Sequence, residues 1–412
     1  MDVVALGELL IDFTENGISS QGNPLFEANP GGAPCNVLAM LTKLGHKTAF
    51  IGKVGNDFFG KQLEDAITEV GIDAAGLLKD DKVHTTLALV HTYPDGDRDF
   101  SFYRNPGADM MLTEEELPEE IIRGAKIFHF GTLSMTHPGV RAATKKAIAV
   151  AKEAGALISF DPNIRKPLWD SMEDAREQVL YGLGQCDILK ISDNEIQWLT
   201  GKEDYTDGVR WIRERYPVPL ILVSMGKEGS RAYYKDRIVE AEPFLQPNTI
   251  ETTGAGDTFC ACVLHYVLEH GLEGLEEKDL KEMLRFANAA ASLITTRKGA
   301  LRVMPEKEEI EKMLEQHKQV FLYFVERSID PSKIDLEQYK KVQEFRNKYT
   351  DKGVYEVVKS AEELRSSFQN ALSLYFIKLI APNTTQLHPT LAPNLVISST
   401  TDEGMNLSLI HI

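Results

Sequence analysis

Glu251-Thr252-Thr253-Gly254-Ala255-Gly256-Asp257-Thr258-Phe259 is the stretch whose reading decides the fold. The apolar-rich run Cys260–Leu268 follows it and reads as a helix. Small residues at a helix start let backbone N–H groups turn toward one point, and the helix dipole favours an anion there. Asp257 falls in the first turn, where a carboxylate beside an anion would be repelled unless the site uses it. Taking a proton from a hydroxyl while a phosphate sits next door is such a use. On spacing alone, a Gly-rich N-cap followed by an ordinary first-turn Asp fits equally well.

Working outward, short apolar runs alternate with amphipathic segments. Val3–Leu6, Thr48–Val54, Ile127–Phe130, Leu157–Phe160, Ile188–Ile191 and Leu220–Ser224 read as buried strands. Cys35–Leu44, Gly60–Val70, Gly139–Ala154, Met172–Leu183, Asp193–Leu199, Val209–Tyr216 and Leu280–Thr295 read as helices. This alternation predicts a parallel sheet between helix layers, with ligands at the carboxyl ends of the strands. Two regions break it: Phe26–Asn29, and a hairpin formed by Thr85–His91 and Asp99–Arg104 around Tyr93–Arg98. An antiparallel patch inserted in an α/β domain predicts a lid or an interface. Gly55-Asn56-Asp57-Phe58-Phe59-Gly60-Lys61-Gln62 nearly fits a P-loop, but Gln62 replaces the hydroxyl that would hold Mg²⁺. A tight turn entering a helix is expected there instead.

Composition agrees with a folded protein: 43% hydrophobic and 26% charged residues, and a formal net charge of −17. Such acidity argues against non-specific binding to nucleic acid or anionic membranes and for a cytoplasmic protein. The four cysteines have no C-x-x-C pair or zinc spacing, so reduced buried thiols are expected. No signal peptide or membrane span is expected.

A second glycine-rich stretch, Pro30-Gly31-Gly32-Ala33-Pro34-Cys35-Asn36-Val37-Leu38-Ala39, lies near the N-terminus. It resembles the Gly-Gly-x-x-x-Asn-x-Ala signature of the ribokinase-like (PfkB) carbohydrate kinases, and Thr252–Phe259 resembles their C-terminal signature. The resemblance covers residues 1 to about 315. It implies a three-layer α/β/α sandwich with a mostly parallel sheet and a small β-sheet lid from about 14–30 and 84–108. The stretch Phe100–Asp109 is similar to the fructokinase branch, which implies ATP-dependent phosphorylation of fructose at the C6 hydroxyl. Phosphorylation of 2-keto-3-deoxygluconate or another sugar is the alternative within the fold. A sugar-sensing protein without catalysis is the alternative outside it.

The resemblance also assigns roles. Asp257 would be the base, with the N–H groups of Gly254, Ala255 and Gly256 as the anion hole. Asp12, Gly31, Gly32, Asn36, Phe102, Arg104 and Arg165 would contact the sugar, with Arg165 also placed to neutralise the transferred phosphoryl. From the residues alone, Asp12 reads equally as a strand-end cap, Asn36 as a first-turn helix residue, and both arginines as structural or solvated. Lys190, Ser224, Gly226, Gly229 and Asn288 would bind ATP. Glu195 would hold Mg²⁺ through water, although Ser192 stands where the family usually has Asn. Glu251 and Thr253 would border a K⁺ site, with Glu251 where Asp is commoner. A homodimer through the lid sheet is implied as well.

The tail over 316–412 differs in kind. Lys plus Arg equals Asp plus Glu over 318–412, so the acidity is confined to the first part. Two helices, Asp335–Tyr349 and Ser360–Leu379, are expected, followed by loop or disorder. Phe321–Phe324 with Ile334–Tyr339 resembles the last part of a TIR-like module. Leu407–Ile412 can be read from codons matching a transposon end used in library preparation, which suggests a truncated or chimeric fusion.

Overall fold

The structure is a computed structural model, and it describes residues 1–92, 98–316, 320–325, 355–360, 362–370, 396–398 and 409–411. Two compact units divide it, Met1–Leu314 and Glu315–Ile412.

Strand β1 (Val3–Leu6) shows why the first unit is layered. All four side chains are fully buried. Val3 and Ala5 enter one hydrophobic core, while Val4 and Leu6 enter a second on the opposite side. An apolar run with no polar alternation needs cover on both faces, and helices supply it. The first layer holds α1 (Ala33–Lys43) and α2 (Phe58–Glu69), together with α8 (Ala255–His270) and α9 (Glu277–Ile294). The second holds α3 (Glu119–Arg123), α4 (Pro138–Glu153), α5 (Met172–Leu183), α6 (Asp193–Thr200) and α7 (Tyr205–Arg213).

The remaining strands of the sheet are β4 (Thr48–Gly55), β5 (Asp73–Asp80), β8 (Ile127–Gly131), β9 (Leu157–Asp161), β10 (Ile188–Ser192), β11 (Leu220–Ser224), β12 (Ser230–Tyr234) and β13 (Arg237–Ala241). Their order is β13-β12-β11-β10-β9-β8-β1-β4-β5, parallel except for the β11-β12 and β12-β13 pairs. The six buried strands expected from the sequence make up the central block from β11 to β4, and the three unexpected strands of this sheet lie outside it.

A second sheet is built from β2 (Leu10–Ile18), β3 (Pro24–Gly31), β6 (Leu87–Thr92) and β7 (Arg98–Tyr103), in the order β3-β2-β6-β7. Its first arm begins at Leu10, earlier than the lid expected from residue 14, because β2 continues the chain just after β1. Of the expected hairpin turn, residues 93–97 lie outside the described residues. The near-P-loop is a turn into α2: Asp57 caps that helix by accepting the Gly60 N–H at 2.8 Å.

In the second unit, β14 (Val320–Val325), β15 (Tyr355–Val358), β16 (Val396–Ser398) and β17 (Leu409–His411) form a sheet in the order β15-β14-β17-β16. None of these strands was expected. β15, β16 and β17 are only three or four residues long, too short for a readable alternation, and the apolar run Val320–Val325 has no strand–helix repeat around it to mark it as a strand. A helix over 362–370 falls within the expected Ser360–Leu379, of which 371–379 lies outside the described residues. The helix expected at 335–349 also lies outside them.

Candidate active site

The start of α8 sets the geometry. Gly254 caps the helix in the left-handed region at φ 77°. A Cβ there would sit 2.7 Å from the Ala300 Cβ, so both conformation and space require glycine. Asp257 stands in the first turn with its side chain buried, and the Asn36 Nδ2 of α1 donates to its Oδ2 at 2.8 Å. A carboxylate partner demands a donor, which fixes the amide orientation and leaves Asn36 Oδ1 buried with no partner. The Ala255 N–H was expected in the anion hole, but it closes a turn on the Thr252 carbonyl at 3.2 Å. A helix cap in the left-handed conformation draws the chain back on itself, which takes up that donor.

Two strand ends bring charge to the same place. Lys190 on β10 reaches the helix start, its Nζ 3.2 Å from where a Gly256 Cβ would lie. It pairs with Asp161 at the end of β9 at 2.9 Å, both nearly inaccessible. Burial alone would lower the Lys190 pKa, but the Asp161, Glu195 and Asp257 carboxylates more than offset it, so the ammonium stays charged. Asp161 Oδ1 is buried without a partner. Burial raises the Asp257 pKa above its ordinary value, while the Asn36 hydrogen bond and the charges of Lys190 and Arg165 pull the other way. The net result is a more basic carboxylate than one in water.

Glu195 shapes the adjoining loop. Its Oε2 accepts from the Ser192 backbone N–H at 2.9 Å and the Ser192 hydroxyl at 2.8 Å, and its Oε1 accepts the Ile164 N–H at 2.8 Å. Ser192, whose type departs from the family pattern, is therefore the N-cap of α6 in a capping box with Glu195. Arg165 follows Ile164 and is exposed near Asp257.

On the far side, Asp12 of β2 lies against Gly31, where any Cβ would collide with its Oδ2. Gly32 has φ 129°, and a Cβ there would strike the Glu8 carbonyl. Phe102 is half-buried on β7, opposite Ala88 of β6. Arg104 differs from the expectation of an open sugar contact. Its guanidinium is 2% exposed and bonds Asp109 Oδ2, the Thr136 hydroxyl at 2.8 Å and the Leu133 carbonyl at 3.0 Å. Asp109 supplies a buried counter-charge on the same loop, and a buried guanidinium keeps such a partner.

Glu8 was not anticipated. It follows β1 and accepts the Ala33 N–H at 2.9 Å. Full burial pushes its pKa up to about 7, with Asp109 adding to the rise. His129 on β8 is also buried, held neutral with its pKa near 3, and hydrogen-bonded to Ser159 at 3.0 Å. Glu8, His129 and Asp161 line one small cavity. Nothing in periodicity marks these residues, but Glu8 stands at the carboxyl end of the first strand, where ligands gather.

The raised Glu8 value has a stability consequence. The folded state holds this proton where an unfolded carboxyl has lost it. Its contribution is full below the ordinary value of 4.5 and is lost as pH rises through about 7. At about 1.4 kcal/mol per pKa unit, the loss is on the order of 3 kcal/mol. Glu8→Gln keeps an acceptor for Ala33 and is expected to remove this part of the pH slope, making the variant more stable than the parent at pH 8. Urea unfolding at pH 5 and pH 8 measures it, and identical slopes in both proteins would refute it.

Beyond the start of α8 opens a cavity of about 300 Å³, lined among others by Ser224, Gly226, Gly229, Phe244, Gly256 and Asn288. Gly229 has φ 94°, and a Cβ there would strike the Ala241 carbonyl. Asn288 forms part of the wall, with its polar atoms engaged: Nδ2 donates to the Ala241 and Glu242 carbonyls, and Oδ1 accepts from Ser230 at 2.8 Å. Glu251 Oε1 accepts the Gly299 N–H at 2.7 Å. Thr253 lies between it and Gly254. Among the described residues, no helix is long and apolar enough to cross a membrane.

The start of α8 thus carries a basic carboxylate, with the buried Lys190 cation beside it, and its Ala255 and Gly256 line the larger cavity. Comparison with known proteins gives the family. The family model of the pfkB family carbohydrate kinases matches residues 1–307. The chain is 43% identical over 305 residues to a probable fructokinase-2 of Arabidopsis thaliana, covering 74% of this chain and 92% of that protein. Among solved structures, a fructokinase of Xylella fastidiosa with bound ATP superposes with a TM-score of 0.70 at 28% identity, over 76% of this chain and 98% of that one. A fructokinase double mutant of Vibrio cholerae O395, bound to fructose, ADP and potassium ion, gives 0.69 at 28% identity with the same coverage.

Proposed function

The chain belongs to the pfkB family of carbohydrate kinases, and from that premise we propose that it transfers the γ-phosphoryl group of ATP to the C6 hydroxyl of fructose, with Asp257 as the base. One observation carries the substrate side: Asn36 Oδ1 and Asp161 Oδ1 are buried acceptors without donors. Leaving such atoms unpaired is costly, and a polyol supplies the missing donors. Asp12, Gly31, Gly32 and Phe102 complete the sugar pocket. Arg104 shapes it from behind through Asp109 and Leu133.

Asp257 takes the C6 proton, aided by a pKa above that of a free carboxylate. Asn36 holds it on the hydroxyl. The attacking oxygen then meets the phosphoryl group at the helix start, where the Gly254 and Gly256 N–H groups, Lys190 and Arg165 face its charge. Nucleoside and phosphates occupy the cavity past Ser224, Gly226 and Gly229, with Asn288 in its wall. Mg²⁺ bound with ATP supplies charge neutralisation at the phosphates. Glu195 would hold it through water, a role compatible with a carboxylate whose oxygens keep lone pairs beyond the loop contacts. Glu251 and Thr253 border a K⁺ site, for which Glu251 retains its Oε2 oxygen.

The acid alternative, 2-keto-3-deoxygluconate, is disfavoured by Arg104, whose guanidinium is already neutralised by Asp109. We place the whole catalytic apparatus within residues 1–315, with the tail taking no part in turnover. We also read the exposed Ile18, Leu25, Phe26 and Tyr103 of the lid sheet as the contact of a homodimer. One experiment tests these readings together. The full chain and a variant lacking 317–412 are assayed for ADP release with fructose, 2-keto-3-deoxygluconate, ribose and adenosine, and sedimented. The expected result is the highest kcat/KM with fructose, unchanged by the deletion, from a dimer. Preference for the keto acid overturns the substrate. Sugar binding without ATP turnover in Mg²⁺ and K⁺ favours a sensor. Lost activity in the shortened chain gives the tail a role, and a monomer removes the lid contact.

A further inference from the structure

Helix α8 carries a second polar cluster at its other end. His265 and Glu269 are four residues apart and so share one face of the helix. His46, in the loop between α1 and β4, faces them. The His46 Nε2 and His265 Nδ1 atoms are 2.7 Å apart, and one ring nitrogen from each histidine and a Glu269 carboxylate oxygen all lie within 4.8 Å of one another. Among the described residues this is the one such grouping of His, Cys, Asp and Glu.

We propose that His46, His265 and Glu269 form a binding site for a first-row transition-metal dication, best suited to Zn²⁺ and separate from the Mg²⁺ used with ATP. Two imidazoles and one carboxylate are a borderline donor set that favours Zn²⁺ over the hard, octahedral, oxygen-seeking Mg²⁺. The hydrogen bond between the two rings already requires one ring nitrogen to be unprotonated and to offer its lone pair. The Asp2 and Glu269 carboxylates act on His46 as anions, and Lys126 and Lys307 as opposing cations. The His265 ring packs against Phe286 at 5.8 Å between centroids, which limits its rotation. Glu269 is exposed, so the cluster opens to solvent and leaves a fourth position for water. In the ion-free protein the two rings share a hydrogen bond. Ligation at about 2.0 Å per nitrogen would replace it and move the two nitrogens roughly 0.6 Å farther apart, a shift within reach of a loop residue.

His265 and Glu269 lie eight and twelve residues beyond Asp257, roughly 12–18 Å along the helix at 1.5 Å per residue. The ion therefore clamps the loop at His46 to α8 without touching the reaction, and its signature is affinity and stability. The test uses chelator-stripped full-length protein titrated with ZnCl₂ by calorimetry, alongside Glu269→Gln and His265→Gln. Glu269 is exposed, so its variant is expected to fold normally. The parent should bind one ion per chain at this site, and each variant should bind it at least about 10-fold more weakly. At 100-fold excess over Kd, the parent's melting temperature should rise by about 4 °C, and MgCl₂ should not reproduce the rise. Co²⁺ in place of Zn²⁺ should give a visible absorption band in the parent that both variants lack. No saturable Zn²⁺ binding by the parent, or binding unchanged in both variants, overturns the proposal.

Discussion

Asp257→Asn is expected to lower kcat by about 10³-fold while changing ATP affinity little. Asn fills the same space and can still face Asn36 after an amide flip, so the helix start stays in place. What it lacks is a basic oxygen for the C6 proton. The pH profile gives an independent readout. Burial raises the Asp257 pKa, so activity is present above that raised value and is lost as pH falls through it, at a higher pH than an exposed Asp would show. In the variant, whatever activity remains should no longer show this acid limb. Steady-state kinetics from pH 4 to 8, with ATP binding measured separately, decide the matter. Near-native turnover by Asp257→Asn would remove the base from the mechanism.

Lys190→Met should have the other large effect, and it acts on stability and catalysis together. The substitution leaves Asp161 buried without its counter-ion, which is expected to destabilise the fold by about 3–5 kcal/mol. It also removes the cation next to Gly256, at an expected cost of about 10²-fold or more in kcat. The double variant Lys190→Met with Asp161→Asn separates the two. Removing the stranded charge should restore most of the stability, because a neutral pair is not penalised as a lone ion is. Turnover should stay low, because nothing replaces the cation at the anion hole. Urea unfolding and kcat on both proteins measure this. If the double variant recovers turnover along with stability, Lys190 serves the fold alone.

The sequence made the centre of the sheet legible and left its margins obscure. The strands from β11 to β4 are covered on both faces, so they read as unbroken apolar runs such as Val3–Leu6 and Leu220–Val223. At one margin, Asp73–Asp80 has acidic residues at both ends and glycine inside. At the other, Arg237–Ala241 is exposed at three of its five positions. Edge strands hold polar residues because one side meets water, and that erases the signal. The start of β2 was hidden for a related reason: the strand follows β1 after only three residues, and its outer half is exposed.

In the site, the sequence by itself determined the glycine-rich helix start, the first-turn Asp257 and the charged residues at strand ends. Each depends on local spacing: glycine where the backbone turns left-handed, a carboxylate one turn into a helix, a side chain at the carboxyl end of a strand. Tertiary structure alone decided which partners those groups meet. Asn36 bonds Asp257 across 221 positions of chain. Asp161 balances Lys190. Arg104 is committed to Asp109, and Glu8 is buried deeply enough to titrate near neutrality. His46 meets His265 only because the α1–β4 loop packs on α8. The division has one physical cause. Backbone conformation answers to neighbours a few residues away, whereas a buried charge answers to whatever the fold places within a few ångströms, and that is set by distant segments of the chain.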